Sequence, residues 1–165
     1  MYPHLQVKSR EDDDLLEMII SIIEGVDCKR YFSNHLRESQ SEQKTIVSGF
    51  QKIIFQALAK DIPDVKWELE YRPSELSRDS VDIFGETNSF VVAIELDKHR
   101  ADQVAKKIVS RMAILPDTRV YFISLCYPGT KNMSKPETIK YFGYCSNLAK
   151  RMNNIYAGFT VEEKA

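Results

Sequence analysis

The sequence predicts an α/β fold in which a mixed sheet of four strands is flanked by helices. Apolar residues recur at helical spacing near both ends of the chain. Between about residues 65 and 127 they instead alternate or form short continuous runs, as in strands. The 165 residues are 43% hydrophobic and 28% charged, which is ordinary for a soluble protein that buries a sizeable core. We therefore expect one domain over residues 1–165, with a helical N-terminal part at 1–60.

Two main helices are predicted in the N-terminal part. Acidic residues begin the first helix, at residues 12–26, and its leucine and isoleucine residues recur at helical spacing. The polar segment at 28–44 is typical of a short helix followed by a connector. The second main helix, at about 42–60, carries one apolar stripe and ends before Pro63.

Three strands follow along the chain. Residues 65–71 alternate between apolar and polar side chains, which indicates a half-exposed strand. Residues 80–85 and 89–97 are two further apolar stretches, and the short polar segment between them predicts a hairpin. Sequential strands of this kind form an antiparallel meander.

The register of this hairpin decides which side chains meet. If Asn88 and Ser89 form a two-residue turn, Asp82 lies opposite Glu95, and the two side chains point to the same face of the sheet. A bulge at Gly85 would shift this register by one residue.

A helix, a strand and a final helix complete the predicted fold. The helix at 99–114 has one apolar side, and the strand at 119–127 is apolar almost throughout, as expected for a strand covered on both faces. The step from strand 89–97 to strand 119–127 should be a right-handed parallel crossover. A capping-box pattern at Ser134 opens the C-terminal helix at 134–153.

Three acidic residues stand at the ends of apolar strands. They are Asp82, Glu95 and Asp97. Carboxylates are rarely buried without a partner, and a divalent cation explains several of them on one sheet face. The alternative is a solvated hairpin end, and Asp97 is equally typical of the N-cap of the following helix. Glu70 could approach the same site from the neighbouring strand, or it could simply be exposed.

Charge and cysteine content indicate which partners and which compartment to expect. The net charge of −1 excludes a basic protein overall, so nucleic-acid binding must depend on a local patch. Basic residues cluster on one helix, at 99–114. The three cysteines are scattered, which favours a reducing compartment. The chain has no signal-peptide core and no apolar run of membrane-spanning length, so we expect a cytoplasmic protein without a membrane partner.

The order of elements and the acidic residues resemble the PD-(D/E)XK nuclease superfamily, which has the restriction-endonuclease-like fold. That core has the order helix, three strands, helix, strand, and residues 42–127 match it. The family motif places an Asp on the second strand and Glu/Asp-x-Lys on the third. Asp82 corresponds to the first part, and Glu95 begins the second. The lysine position of the motif holds Asp97, and Lys98 follows it, so Lys98 reaches the site only if the strand ends there.

The resemblance implies a nuclease that hydrolyses DNA phosphodiester bonds with Mg²⁺ or Mn²⁺. It implies the catalytic residues Asp82, Glu95, Asp97 and Lys98, of which Asp82, Glu95 and Asp97 hold the metal. It implies substrate contacts from polar and basic residues of the next helix, namely Arg100, Gln103 and Lys107. Many members of the family cut as dimers, so a homodimer is also expected.

A protein of the same fold without catalysis is the competing hypothesis. It would act as a nucleic-acid-binding or protein-interaction module. The two hypotheses predict different positions of the carboxylates, because one cation must touch both Asp82 and Glu95 in an enzyme. Carboxylates close together with Lys98 or another base beside them favour the enzyme, and splayed, exposed carboxylates favour the module.

Overall fold

A computed structural model describes residues 1–76 and 78–162 of the chain. Residue 77 and residues 163–165 of the predicted domain lie outside the described residues. The strands are β1 (Tyr2–Lys8), β2 (Lys66–Tyr71), β3 (Val81–Glu86), β4 (Phe90–Lys98), β5 (Arg119–Tyr127) and β6 (Ile155–Glu162). The helices are α1 (Asp14–Glu24), α2 (Lys29–Phe32), α3 (Gln40–Asp61), α4 (Ala101–Ile114) and α5 (Lys135–Arg151), and a 3-10 turn at His35–Arg37 follows α2.

The described strands form one mixed sheet in the order β1-β6-β5-β4-β3-β2. The predicted antiparallel meander is confirmed in β2, β3 and β4, and the predicted parallel pairing is confirmed between β4 and β5. The α/β class is therefore correct.

The prediction of a four-stranded sheet is wrong, because the described sheet has six strands. β6 pairs parallel to β5, and β1 pairs antiparallel to β6. The N-terminal part, expected to be helical, thus begins with a strand whose partner lies at the other end of the chain. Such a pairing leaves no local pattern, because the partner strand is more than a hundred residues away.

Helices cover both faces of the sheet. We call these the α3 face and the α4 face, after the helix that covers the β3–β4 hairpin on each. On the α3 face, α1 and α3 pack on a set of aliphatic residues that includes Ile83, Val92, Ile94 and Leu96. On the α4 face, α4 and α5 pack on a set that includes Phe84, Ala93, Phe122 and Tyr156. Successive residues of β4 therefore alternate between the two faces, as a strand requires.

The predicted register of the hairpin is confirmed. Ile83 pairs with Ile94, and Phe84 pairs with Ala93. At the end of the ladder, an Oδ2 oxygen of Asp82 accepts a hydrogen bond from the main-chain N–H of Leu96, at 2.7 Å. This bond holds the Asp82 carboxylate against the carboxyl-terminal end of β4.

One residue of β2 has an unusual backbone conformation. Glu70 has φ of 51°, in the left-handed region that residues other than glycine rarely adopt. Before it, Trp67 and Leu69 pack on the α3 face, whereas Tyr71 after it stacks on Phe84 of the α4 face with ring centroids 3.8 Å apart. The conformation of Glu70 therefore reverses the alternation of the strand.

The ends of α3 and α5 are fixed by local capping. The Ser39 side chain accepts from the N–H of Glu42, and the Glu42 carboxylate accepts from Ser39, which completes a capping box at α3. The N-cap predicted at Ser134 is confirmed for α5. In the part of the chain that the structure describes, no helix combines the length and apolar composition needed to cross a membrane.

Candidate functional site

The three acidic residues predicted from the hairpin meet around one lysine. Lys107 Nζ lies 3.1 Å from Glu95 Oε2, 3.1 Å from Asp97 Oδ1 and 3.7 Å from Asp82 Oδ2. The same ammonium donates to the main-chain carbonyl of Leu96, at 3.1 Å. We refer to Asp82, Glu95 and Asp97 as the carboxylate cluster. Four oxygen atoms thus converge on a single cationic group.

A second cation reaches the cluster from the same helix. Arg111 Nε donates to Glu95 Oε1 at 2.7 Å, and Arg111 Nη1 lies 3.4 Å from Asp79 Oδ1. Lys107 and Arg111 are four residues apart on α4, so both side chains point toward the sheet. Lys107 and Arg111 therefore both contact the carboxylate cluster, and Glu95 bonds to each of them.

Glu95 is the most deeply placed member of the carboxylate cluster. Its side chain is 1% exposed, and Phe84 and Ala93 belong to the apolar layer of the same face. Within residues 1–76 and 78–162, Glu95 Oε2 has no well-directed hydrogen bond, although it lies 3.1 Å from Lys107 Nζ. A buried carboxylate oxygen without a hydrogen bond is costly, so this atom has capacity for a further cationic or donor partner.

Burial and the neighbouring carboxylates shift the pKa values of two members of the cluster, Glu95 and Asp97. Burial, and then the Asp82 charge, raise the pKa of Glu95 to about 8, against the opposite effects of Lys107 and Arg111. Burial raises the pKa of Asp97 to about 6, although Lys107 acts to lower it. Burial alone would lower the pKa of Lys107, but the three carboxylates outweigh it and raise the pKa above its usual range. Lys107 therefore stays charged, whereas Glu95 binds a proton below about pH 8 and Asp97 below about pH 6.

The donor atoms of the cluster suit a divalent cation. Mg²⁺ and Mn²⁺ prefer carboxylate and carbonyl oxygens, which are the four acceptors around Lys107 Nζ. Among the described residues, no three His, Cys, Asp or Glu side chains already stand in the arrangement of a metal site. The chemistry of the donors fits a metal, but a metal bound there would have to take over contacts that the Lys107 ammonium makes.

A groove of about 440 Å³ opens on the other side of the hairpin end, between α3 and the sheet. Its sheet wall consists of Glu70, Asp82, Leu96, Lys98 and Tyr127. Asp82 belongs both to this wall and to the carboxylate cluster. A ligand in the groove therefore comes into contact with one member of the cluster.

Lys98 lies in the groove and not in the carboxylate cluster. β4 continues through Lys98, so its side chain points to the face opposite that of Asp97. Its ammonium donates to Gln43 Oε1 of α3, at 3.2 Å. The N-cap alternative for Asp97 is also excluded, because Arg100 occupies the N-cap of α4.

The residues expected to contact substrate have different surroundings. Arg100 is exposed and pairs with Asp102 at 2.7 Å. Gln103 is half-buried, one turn before Lys107 on α4. Lys107 was expected to contact substrate, but its ammonium lies among the carboxylates of the cluster. Among these three side chains, only Lys107 bonds to the carboxylates in the described structure.

Arg111, Gln51 and Glu70 take part in the site although the sequence did not single them out as a group. Gln51 is 8% exposed, and its amide donates to the carbonyl of Asp82 at 2.6 Å and to Glu70 Oε1 at 2.9 Å. Ser80 Oγ donates to Glu70 Oε2 at 3.0 Å. In the sequence, the only sign of a role for Gln51 was that it is an amide beside the apolar stripe of α3. For Arg111 the only sign was its spacing of four residues from Lys107, which places both side chains on one side of the helix.

Comparison with known proteins adds no relative to these observations. No protein-family model matches the chain, no curated protein matches it, and no solved structure matches it.

Proposed function

We propose that this protein is a nuclease that hydrolyses DNA phosphodiester bonds with a divalent metal ion, Mg²⁺ or Mn²⁺. One observation carries the proposal. The Asp82 and Glu95 carboxylates both lie within 3.7 Å of the same cationic atom, Lys107 Nζ. They are close together with a cationic side chain beside them, which is the geometry expected of the enzyme and not of the splayed, exposed alternative.

We infer that the core has the restriction-endonuclease-like topology. The order α3, β2, β3, β4, α4, β5 supports this inference, together with the antiparallel meander and the parallel pairing of β4 with β5. The acidic residues stand on the second and third strands of this core, as in the PD-(D/E)XK motif that the sequence resembles. β1 and β6 are additions at the edge of the sheet.

Asp82, Glu95 and Asp97 would hold the metal. A divalent ion bound by such carboxylates polarises a phosphoryl oxygen and lowers the pKa of a bound water. The carbonyl of Leu96 is a further oxygen at the same place. Arg111 holds the Glu95 carboxylate in its orientation through the bond at 2.7 Å.

Lys107 would provide the positive charge that the motif assigns to its lysine. Its ammonium lies 3.1 Å from the carboxylate of Asp97, the residue that stands in the lysine position of the motif. A fixed ammonium beside the reacting phosphate stabilises the charge that develops there.

The decisive experiment is a cleavage assay on labelled single-stranded and duplex DNA, with Mg²⁺, Mn²⁺ or EDTA. We expect cleavage that requires metal and falls about a hundredfold or more in Asp82→Asn and in Glu95→Gln. Glu86→Gln is the matched control, because Glu86 is exposed at the far end of β3. Cleavage that neither Asp82→Asn nor Glu95→Gln reduces would contradict the proposed site.

A non-catalytic nucleic-acid-binding or protein-interaction module is the second candidate. It is favoured by one observation, that the cations of Lys107 and Arg111 partly neutralise the carboxylates without any metal. This candidate predicts binding of DNA or a protein partner, with no cleavage in any metal. The homodimer implied by the resemblance is a separate proposal, which sedimentation velocity tests directly.

A further inference from the structure

The groove between α3 and the sheet has a wall made by one stripe of a helix. The residues of this wall are Gln40, Gln43, Lys44, Val47, Ser48 and Gln51. Their spacing of three and four residues places them on one side of α3. Amides and a hydroxyl dominate this wall, one lysine stands among them, and it carries no carboxylate. A wall of this composition presents hydrogen-bond donors and acceptors more than charge.

The opposite wall, on the sheet, includes the cationic Lys98 and also Asp82 of the carboxylate cluster. Lys98 lies at the end of β4, and Asp82 lies on the neighbouring strand. The ring of Tyr127 also lines the groove and is 8% exposed. A ligand that contacts Lys98 in the groove therefore has a short path to Asp82.

The groove is too small to enclose a nucleic-acid duplex. Its two walls also make direct hydrogen bonds, from Lys98 to Gln43 at 3.2 Å and from Gln51 to the Asp82 carbonyl at 2.6 Å. A duplex, whose major groove alone is about 12 Å wide, does not fit inside a pocket of this size. The volume of about 440 Å³ is in the range of pockets that hold small ligands.

The chemistry of the groove fits one unpaired nucleotide. Lys44 is exposed at the groove, and Lys98 faces it, so two cations are available to a phosphate. Glu70 and Asp82 bring two carboxylates to the same groove, and Gln51 and Ser80 donate to that of Glu70. The side chains of Gln40 and Ser48 are exposed along the same wall, and such groups hydrogen-bond to base edges that pairing no longer covers.

We propose that this groove binds an unpaired nucleotide of a DNA single strand and brings its phosphate to the carboxylate cluster. The substrate would then be a single strand, a frayed end or a gap, and intact duplex would be a poor substrate. The assignment to DNA rests on the proposed function, whereas the preference for an unpaired strand rests on the size of the groove.

Binding can be measured separately from cleavage, by fluorescence anisotropy of the full chain in EDTA. The two ligands are a short fluorescein-labelled DNA single strand and the blunt duplex of the same sequence. We expect the single strand to bind about tenfold more tightly than the duplex. Equal or tighter binding of the duplex overturns the inference.

Two substitutions on α3 test the wall itself. Ser48→Leu fills the groove from an exposed position, and we expect it to weaken single-strand binding about tenfold. Lys44→Ala should reduce the slope of log binding constant against log salt concentration by about 0.7, as for one lost phosphate contact on a single strand. Gln56→Leu and Lys52→Ala are the matched controls, exposed on α3 outside the groove, and they should leave affinity and slope unchanged.

The outcomes separate this inference from the proposed function. Single-strand binding that Ser48→Leu and Lys44→Ala weaken, without cleavage in any metal, supports the groove and contradicts the hydrolysis. Cleavage that requires Asp82 and Glu95, with binding that neither α3 substitution changes, overturns the groove and leaves the hydrolysis standing. Equal competition by an acidic peptide of the same charge also overturns the inference, because it would show attraction by charge alone.

Discussion

Two helices approach the end of the β3–β4 hairpin from opposite faces, and they meet it with different side chains. α4 places Lys107 and Arg111 among the carboxylates, with contacts of 3.1 Å and 2.7 Å to Glu95. α3 presents amides and a hydroxyl across an open groove. The α4 side compensates charge and holds the carboxylates in place, whereas the α3 side leaves room for a ligand. Asp82 is the residue that the two sides share.

The difference between the sides is a difference in burial. On the α4 side Glu95 and Asp97 are covered, and burial raises the pKa of both carboxyls. On the α3 side Gln51 is held by its bonds to Asp82 and Glu70, while Gln40, Lys44 and Ser48 are exposed to solvent. Substitutions on the α4 side should therefore affect stability most, and substitutions on the α3 side should affect binding most.

The largest effect is expected from Lys107→Met. This change leaves three carboxylates without their shared cation, and breaking a buried ion pair in this way costs about 3–5 kcal/mol. Thermal unfolding should show a Tm lower by about 6–20 °C, since 1 kcal/mol corresponds to about 2–4 °C at this chain length. Mn²⁺ should raise the Tm of Lys107→Met more than that of the wild type, because the metal then replaces the missing charge.

Lys106→Met is the matched control for Lys107→Met, because Lys106 is exposed on the same turn of α4. A Lys107→Met protein that is as stable as the wild type would show that the ammonium is not needed to hold the cluster. The contrast between the two sides would then be wrong.

The next effect is a pH dependence of stability that originates in Glu95. Its pKa rises from an ordinary 4.5 to about 8 in the folded protein, so the folded state binds this proton more tightly than the unfolded chain. The stability from this proton is full below about pH 4.5 and is lost as the pH rises through about 8. In EDTA, the Tm of the wild type should therefore fall relative to that of Glu95→Gln by several degrees between about pH 5 and pH 8. Parallel Tm curves for the two proteins would show that Glu95 titrates normally.

A smaller effect is expected where the two sides are connected. Gln51→Ala removes the bonds to the Asp82 carbonyl and to Glu70, and it leaves a buried carbonyl without its donor. The free energy of unfolding in urea should fall by about 1–3 kcal/mol. Gln56→Ala, an exposed position on the same helix, should change it by less than about 0.5 kcal/mol. Equal effects of the two substitutions would mean that Gln51 does not connect α3 to the hairpin.

The smallest effect on stability is expected from Lys98→Met, which makes the sharpest comparison with Lys107→Met. Lys98 is bonded to an amide in an open groove and not to buried carboxylates. Its replacement should change the free energy of unfolding in urea by less than about 1 kcal/mol, while single-strand binding in EDTA becomes weaker and less dependent on salt. A loss of stability as large as that of Lys107→Met would show that the α3 side is as dependent on charge as the α4 side.

Local patterns were sufficient to predict the hairpin and the meeting of its carboxylates. A two-residue turn and strict alternation fix the register, and the pairing of Ile83 with Ile94 confirms it. The same alternation separates Asp97 from Lys98, which face α4 and α3 respectively. These features depend only on neighbours in sequence and on a short turn, so the sequence carries them directly.

Contacts between distant segments were not predictable in the same way. Nothing in the helical pattern of α4 indicates that Lys107 points into the hairpin and not into solvent, because that depends on how the helix lies across the sheet. The pairing of β1 with β6 was not predicted, because the two strands come from opposite ends of the chain. The left-handed conformation of Glu70 also has no sequence signal, since glycine or asparagine would be expected there.

The sequence by itself determined the α/β class, the order of the central elements and the gathering of Asp82, Glu95 and Asp97 at one end of a hairpin. The tertiary structure decided which cations meet those carboxylates, where the ligand groove opens and how many strands the sheet has. The physical reason is the range of the interactions: strand alternation and turn geometry act over a few residues, whereas helix packing and strand pairing between the termini join parts that only the folded chain brings together.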